Sequence, residues 1–291
     1  MVPSLLRSLK AKRHAAHAGL YFLRKTADIK KEAAEKPMYT VKQIKELIEQ
    51  HTDDESYIRE LLKDDTRKSV QKLMDKWNKE REKQQELHAA WKQMLQFETK
   101  AKAQGYTYIA GIDEAGRGPL AGPVVAAAVI LKENTVLLGL NDSKQLSEKK
   151  RMTYYELIQK EALDIGIGIV DAATIDEINI YEASRLAMVR AVKQLTHTPD
   201  YLLIDAMTLP LPTQQENIIK GDVKSASIAA GACIAKVTRD QMMEEYGRQY
   251  PEYQFEKHKG YGTKEHLAAI QTHGATPIHR LSFAPVKSVI S

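Results

Sequence analysis

The chain has 291 residues, a formal net charge of +5 at pH 7 and a single cysteine, Cys233. This length allows one or two domains with an ample core, and one cysteine excludes both a disulfide framework and a zinc site built from cysteines. No apolar run is long enough to cross a bilayer. We therefore expect a soluble, cytoplasmic protein in which Cys233, set among small apolar residues, packs in the core.

Positive charge is concentrated at the N-terminus. Residues 1–37 contain nine Lys/Arg and three Asp/Glu, whereas residues 38–291 contain 34 and 35. Because residues 1–37 carry no motif and Met38 has the character of a natural start, we expect this segment to be a disordered extension or the product of an upstream start site. Contacts with nucleic acid in the rest of the chain must then rest on local basic patches.

Residues 38–104 are predicted to form a small helical accessory region. Between residues 40 and 102 the chain contains neither glycine nor proline, and apolar residues recur at helical spacing. One apolar face includes Val41 and Ile48, and another includes Val70 and Trp77. The charged residues of this region are interpreted as a solvated helix face. A protein-interaction module that recruits the rest of the chain is a second interpretation.

Strand and helix patterns alternate after Gly105. Apolar runs predict strands over 108–113, 124–131, 164–170, 201–205 and 216–220. Amphipathic segments predict helices over 147–161, 175–195 and 226–246, the first with Ser147 as its N-cap. Two consecutive strands, followed by strands that alternate with helices, are typical of an α/β layer with a mixed sheet. We assign this layer to residues 105–291.

Four acids lie at the ends of predicted strands. Asp113 and Glu114 close the first strand, and a loop of small residues with one arginine, Arg117, follows at once. Asp205 and Asp222 close two later apolar segments. Functional groups of open α/β sheets gather at strand ends, and clustered carboxylates repel one another unless cations lie between them. The pattern predicts a site for two Mg²⁺ or Mn²⁺ ions that acts on phosphate.

Five motifs follow one another along the chain. They are Gly-Ile-Asp-Glu-Ala-Gly-Arg-Gly-Pro-Leu-Ala-Gly-Pro from 111, Asn-Asp-Ser-Lys at 141–144, Leu-Ile-Asp at 203–205, Lys-Gly-Asp at 220–222 continuing to Ala-Lys-Val-Thr-Arg-Asp at 235–240, and His-Lys-Gly-Tyr-Gly-Thr at 258–263 with Ile-His-Arg-Leu-Ser-Phe at 278–283. In this order they resemble the bacterial type 2 ribonucleases H, the ribonuclease HII family. The helical segment from Met38 is similar to the N-terminal region of Bacillus-type members.

The resemblance implies a ribonuclease H-like fold and an endonuclease. Such an enzyme hydrolyses the RNA strand of RNA/DNA hybrids and cuts 5′ to single ribonucleotides embedded in duplex DNA. The reaction is two-metal-ion hydrolysis that leaves a 3′-OH and a 5′-phosphate.

The resemblance also implies roles for particular positions. The backbone of residues 116–118 would recognise the ribose 2′-hydroxyl, and a tyrosine would stack on the following deoxyribose. By motif position the catalytic and metal-binding acids are Asp113, Glu114, Asp205 and Asp222, and the substrate-binding residues are Gly116, Arg117, Gly118, Ser143, Lys144 and Tyr261. Gln145 stands where many members have a second lysine, which would weaken one phosphate contact.

Several charged residues outside these positions have two interpretations. Lys224, Lys257 and Lys259 could contact phosphates and position a duplex without recognising its sequence. Each of them alone is more typical of a solvated surface charge. Asp240, beside an arginine in a predicted helix, could be a neighbour of the site or a structural ion-pair partner, and we interpret it as structural.

Two other functions compete with the type 2 nuclease. A module that binds hybrids without cutting them does not need all four acids, and all four positions are acidic here. The type 3 ribonucleases H carry Glu-Ser-Gly-Lys where this chain has Glu-Ala-Gly-Arg at 114–117, so the type 2 pattern fits better. A zinc site is not indicated, because His258, His266 and His279 match no compact zinc motif.

Overall fold

The computed structural model describes residues 39–51, 54–141 and 146–290. The segment 1–37 and the motif residues Ser143 and Lys144 lie outside the described residues, as does Gln145. The chain divides into two compact units, the first ending at Gln84 and the second beginning at Gln85. The boundary at residues 104 and 105 that the sequence suggests stays a prediction.

The N-terminal unit is helical. Helix α1 covers Val41–Gln50 and α2 covers Glu55–Leu62, and α3, Lys68–Met94, begins in this unit and continues beyond its end at Gln84. The side chain of Thr40 accepts from the amide of Gln43, and the Gln43 side chain accepts from the Thr40 amide, which is a capping box that fixes the start of α1. The core of this unit consists of Ile44, Ile58, Leu62, Val70 and Trp77.

The second unit is built on a five-stranded sheet. Its strands are β1 Ile109–Ala115, β2 Val124–Leu131, β3 Ala162–Val170, β4 Tyr201–Asp205 and β5 Gln214–Ile218. They lie in the order β3-β2-β1-β4-β5. The pairs β1–β2 and β2–β3 are antiparallel, whereas β1–β4 and β4–β5 are parallel. The predicted mixed sheet is confirmed.

Helices cover both faces of this sheet. They are α4 Gln96–Ala103, α5 Glu148–Glu161, α6 Ala172–Gln194, α7 Gly221–Lys224, α8 Ala226–Gln249, α9 Phe255–His258, α10 Lys264–His273 and α11 Ala284–Ile290. Alternate residues of β2 pack with α6 and with α8, so this interior strand is apolar throughout. None of the described helices is long and apolar enough to cross a membrane.

The start of α8 is held close to the sheet. Ser225 caps the helix, and Glu98 Oε1 accepts from the hydroxyls of Ser225 and Ser227 at 2.6 Å each. Further along, a Cβ at Gly231 would lie 3.0 Å from the carbonyl oxygen of Ala127, so only glycine allows this approach without displacement. The helix that follows the last of the four acids is therefore fixed at its first turns.

Candidate active site

The sheet brings the predicted acids toward one edge. Asp113 and Glu114 belong to the last residues of β1, and Asp205 is the last residue of β4. Because β1 and β4 are parallel neighbours, their C-terminal ends lie at the same edge. Asp222 lies in α7, the short helix after β5.

The four carboxylates act on one another electrostatically. Burial raises the pKa of Asp113 well above its usual value, and the negative charges of Glu114, Asp205 and Asp222 raise it further. Burial also raises the pKa of Glu114, against the opposing charge of Arg117. Asp113 and Asp222 are only 6% and 9% exposed. The four acids thus share a buried region in which full ionisation is unfavourable unless a cation is present.

Local hydrogen bonds hold two of these carboxylates. Asp113 Oδ1 accepts from the Glu114 amide at 2.7 Å, and Asp205 Oδ1 accepts from the Gly221 amide at 2.7 Å. Glu114 Oε1 lies 3.3 Å from the guanidinium of Arg117. Glu114 Oε2 is buried and has no hydrogen-bond partner among the described residues. A buried carboxylate oxygen without a donor is costly, so Glu114 is suited to receive a cation.

The donor set fits a hard divalent cation. All four groups offer oxygen, the ligand type that Mg²⁺ and Mn²⁺ prefer. Within the described ranges, no three acidic, histidine or cysteine side chains are grouped so as to hold an ion by themselves. Mg²⁺ usually keeps several waters and binds through one or two carboxylates together with substrate phosphates. The arrangement therefore fits a metal whose coordination is completed by water and substrate.

A buried arginine holds the loop that follows β1. Arg280 is fully buried and donates five hydrogen bonds of 2.6–3.0 Å. Burial lowers its pKa to about 9, so it remains charged at neutral pH. The acceptors are the carbonyl oxygens of Gly116, Arg117, Pro119 and Gly122.

The direction of these carbonyls decides where the loop amides point. In a trans peptide unit the C=O and the following N–H point in opposite directions. The carbonyls of Gly116 and Arg117 face Arg280, so the amides of Arg117 and Gly118 are directed away from it. Two successive amides directed away from the buried guanidinium can donate together to an electronegative group.

A second buried arginine joins this loop to the 258–263 segment. Arg239, 1% exposed, donates to the carbonyl oxygens of Pro123 at 3.0 Å, Ala121 at 3.1 Å and Lys259 at 3.0 Å. The amide of Leu120 also donates to the carbonyl of the next glycine, Gly260, at 2.8 Å. The two loops are therefore held as one hydrogen-bonded body.

Tyr261 lies beside the glycine-rich loop. Its side chain is 48% exposed, and a Cβ at Gly118 would lie 3.7 Å from Tyr261 Cε1. Gly260, with φ +84°, has no room for a side chain, because a Cβ there would lie 2.5 Å from the carbonyl oxygen of Ala121. The glycines thus allow an exposed aromatic ring to stand against the loop whose amides point outward.

Two further sequence-predicted residues take protein partners. Asp240 pairs with Arg151 at 3.3 Å and with Lys236 at 2.6 Å, as expected of a structural ion-pair partner. Lys259, which the sequence suggested as a phosphate contact, pairs with Glu244 at 2.7 Å. A phosphate at Lys259 would have to compete with that carboxylate.

The sequence analysis missed the arginines at 239 and 280. Both stand inside quoted motifs, at 235–240 and 278–283, and this membership was the only signal. Arginine is almost never fully buried unless it is paired, and the partners here are backbone carbonyls more than 100 residues away for most of the bonds. A sequence pattern does not contain that information.

Comparison with known proteins identifies the family. Residues 110–286 match the family model for ribonuclease HII, and residues 40–102 match the model for the ribonuclease HII N-terminal domain. The chain belongs to the ribonuclease HII family. It is 89% identical over 254 residues to ribonuclease HII from Bacillus pumilus, an alignment that covers 87% of this chain and 100% of that protein. The four acids and the loop that is hydrogen-bonded to Arg280 thus lie in a ribonuclease HII fold.

Two solved structures share the fold. The crystal structure of ribonuclease H2 from Pyrococcus horikoshii OT3 aligns with a TM-score of 0.56 and 25% identity, covering 63% of this chain and 97% of that one. The crystal structure of Bst-RNase HIII in complex with Mn²⁺ aligns with a TM-score of 0.50 and 18% identity, covering 63% of this chain and 69% of that one. The second likeness concerns the fold alone, and the sequence match places this chain with ribonuclease HII.

Proposed function

We propose that this chain is an endonuclease that hydrolyses the RNA strand of RNA/DNA hybrids and cuts 5′ to single ribonucleotides embedded in duplex DNA, leaving a 3′-OH and a 5′-phosphate. Family membership supports the class of reaction. The finer proposal is supported by four mutually repelling acids, three at one sheet edge and one in α7, next to a loop whose amides are directed away from Arg280.

The acids are proposed to hold the metal. Asp113, Glu114, Asp205 and Asp222 would bind two Mg²⁺ or Mn²⁺ ions, and the unpartnered Oε2 of Glu114 would gain most from a cation. Divalent ions in such a site activate water and stabilise the leaving oxygen. The Gly221 amide keeps the Asp205 carboxylate oriented, and the Arg117 guanidinium balances part of the charge on Glu114.

Recognition of the substrate is proposed for the two loops. The amides of Arg117 and Gly118 would donate to the oxygen of a ribose 2′-hydroxyl, the group that distinguishes RNA from DNA. The exposed ring of Tyr261 would stack on the next sugar, where a second 2′-hydroxyl would collide with it. Ser143 and Lys144 are proposed contacts with the substrate backbone from their motif position alone.

The proposal is tested on a DNA duplex that carries one ribonucleotide. We expect a single cut on its 5′ side with Mg²⁺ or Mn²⁺, no cut with EDTA, and no cut of the all-DNA duplex. End analysis of the products should give a 3′-OH and a 5′-phosphate. A protein that binds this duplex tightly but leaves it intact with either metal would instead be a binding module.

We further propose that residues 38–104 act as an accessory region and that residues 1–37 add only non-specific charge. A chain that starts at Met38 should keep its cleavage specificity. Its affinity for all-DNA duplex should become weaker and less steeply dependent on salt, because fewer counterions are released. Cleavage and binding measured at two salt concentrations test this, and a shortened protein without activity would contradict it.

A further inference from the structure

Three histidines pack together beside Tyr261, and one of them, His258, is the first residue of the 258–263 segment. The rings of His258 and His266 are stacked with their centroids 4.6 Å apart, and the centroids of His266 and His279 are 5.2 Å apart. His266 and His279 are 0% and 2% exposed. Phe255 packs edge-on against His266, with centroids 5.4 Å apart. The proposed catalytic chemistry gives these buried rings no role.

The hydrogen bonds of this cluster form one directed chain. The backbone amide of Thr276 can only donate, so Nδ1 of His279, 2.9 Å away, must accept. His279 therefore carries its proton on Nε2 and donates to Nε2 of His266 at 3.0 Å. His266 in turn carries its proton on Nδ1 and donates to the carbonyl oxygen of Tyr261 at 2.9 Å. Each ring nitrogen thus has one defined role.

This series of hydrogen bonds ends at Tyr261, the residue that is proposed to contact the sugar. The carbonyl of Tyr261 also accepts from the Thr263 amide at 2.8 Å, and its amide donates to the His258 carbonyl at 2.9 Å. The backbone of Tyr261 is therefore fixed on both sides while its ring stays exposed. His266 supplies the only one of these three bonds that comes from a side chain.

The pair is built to remain uncharged. A proton added to Nε2 of His266 would place two N–H groups against each other at the Nε2–Nε2 contact, and a proton added to Nδ1 of His279 would face the Thr276 amide. Burial lowers the pKa of His266 and of His279 to about 4 each, so both rings are neutral at physiological pH. A neutral pair keeps the chain of donors and acceptors described above.

We propose that His266 and His279 are positioning residues that hold Tyr261 against the glycine-rich loop and thereby determine the preference for a ribonucleotide that is followed by DNA. This inference rests on the proposed function. It assigns to the pair an effect on substrate choice, whereas a purely structural pair would affect all substrates equally. Removing the donor to the Tyr261 carbonyl would allow the ring to shift from the sugar, and shifts of about 1 Å can reduce rates by a large factor.

The test compares two variants on two substrates. His266→Leu removes the donor, whereas His266→Asn keeps an N–H near the position of Nδ1. For His266→Leu we expect kcat/KM at a single embedded ribonucleotide to fall about tenfold, the range of one base or sugar stacking contact. On a continuous RNA/DNA hybrid we expect less than a twofold loss. His266→Asn should recover most of the loss.

A further variant guards against a folding defect. His279→Asn keeps an acceptor for Thr276 but leaves His266 without its donor, and we expect the same selective loss at a smaller size. In a Tyr261→Ala background, His266→Leu should add no further selective loss. Equal losses on both substrates in the soluble variants, or an additive effect in the double variant, would overturn the inference. Failure of the unmodified enzyme to cut either substrate would instead reject the proposed function.

Discussion

Two regions of the second unit differ in whether their buried polar atoms have partners. One contains the acids at the ends of β1 and β4, and the other contains the loops around Arg239 and Arg280. At the acids, like charges raise the pKa of Asp113, and one oxygen of Glu114 has no partner among the described residues. Around the arginines, eight hydrogen bonds from two guanidinium groups reach backbone carbonyls. The first region buries like charges and leaves one acceptor without a donor, whereas the second makes its hydrogen bonds within the folded protein itself.

Under the proposed function, this difference separates the chemical step from substrate selectivity. A site that must bind a metal gains affinity for the metal from acceptors that have no donor. The same acceptors lower the stability of the metal-free protein. A surface that must distinguish ribose from deoxyribose depends on donor atoms that are held in position to within about 0.5 Å. Changes in the two regions should therefore have opposite effects on stability.

The largest effect is expected from Asp113→Asn. Loss of one proposed metal ligand should reduce cleavage about a thousandfold or more, since metal-ion charge stabilisation is worth several kcal/mol. The melting temperature of the metal-free protein should rise by roughly 2–4 °C, because about 1 kcal/mol of repulsion is relieved. Calorimetry and a cleavage assay measure both, with the exposed Glu133→Gln as a control that changes neither. A variant with near-normal turnover in Mg²⁺ would remove Asp113 from the site.

The opposite result is expected from Arg280→Lys. The charge remains, but an ammonium group cannot reproduce five hydrogen bonds from a planar guanidinium, and carbonyls are left without donors. We expect the free energy of unfolding to fall by about 3 kcal/mol or more. Urea denaturation tests this against Arg248→Lys, an exposed arginine paired with Glu245, which should change stability by less than about 0.5 kcal/mol. Equal effects would mean that the guanidinium contacts are not stabilising.

The pair His266 and His279 makes the free energy of unfolding depend on pH. Burial lowers the pKa of His266 and His279 to about 4, whereas in the unfolded chain both titrate near the usual value of 6.5. Between these values the unfolded chain binds protons that the folded protein does not, so stability is lost as pH falls. From pH 6.5 to 5 we expect a loss of roughly 1.5 kcal/mol for each histidine.

Urea denaturation at these two pH values measures the loss. His266→Asn has one such histidine fewer, so its free energy of unfolding should fall by about 1.5 kcal/mol less over this pH interval. The same pH dependence in both proteins would show that the pKa of His266 does not differ between the folded and the unfolded states.

A smaller and more selective effect is expected from Tyr261→Ala. Loss of the ring should reduce cleavage at a single embedded ribonucleotide about tenfold, the value of one stacking contact. A continuous hybrid should be affected less, and metal binding should not change. Tyr181→Ala removes a tyrosine of similar exposure elsewhere on the unit and serves as the control. Equal losses on both substrates would make Tyr261 a structural residue only.

Much of the fold follows from local sequence patterns. β2 and β4 begin and end at the predicted residues, and Ser147 caps α5 as predicted, because apolar runs and caps are local signals. β5 was predicted too late in the chain. It ends at Ile218, since Lys220 adopts a left-handed conformation, φ 57°, that leads into α7.

The candidate site divides in the same way. The acids could be found from the sequence because strand ends and motif order mark them, although their roles stay a prediction. The burial of Arg280 and the neutral state of His266 could not be found, because both depend on partners that are distant in the chain or on the exclusion of water. Polar residues that support a site from behind leave no periodic pattern.

The bonds from Arg280 to the loop after β1 have a consequence for the order of biosynthesis. They join residues 158 to 164 positions apart, and the donor lies near the end of the chain. Strands β1 and β4 and their acids are synthesised well before Arg280 and His279. A nascent chain can therefore assemble its acidic edge while the loop after β1 is still without the donors of Arg280, so we expect this loop to take its final conformation after the acids have come together.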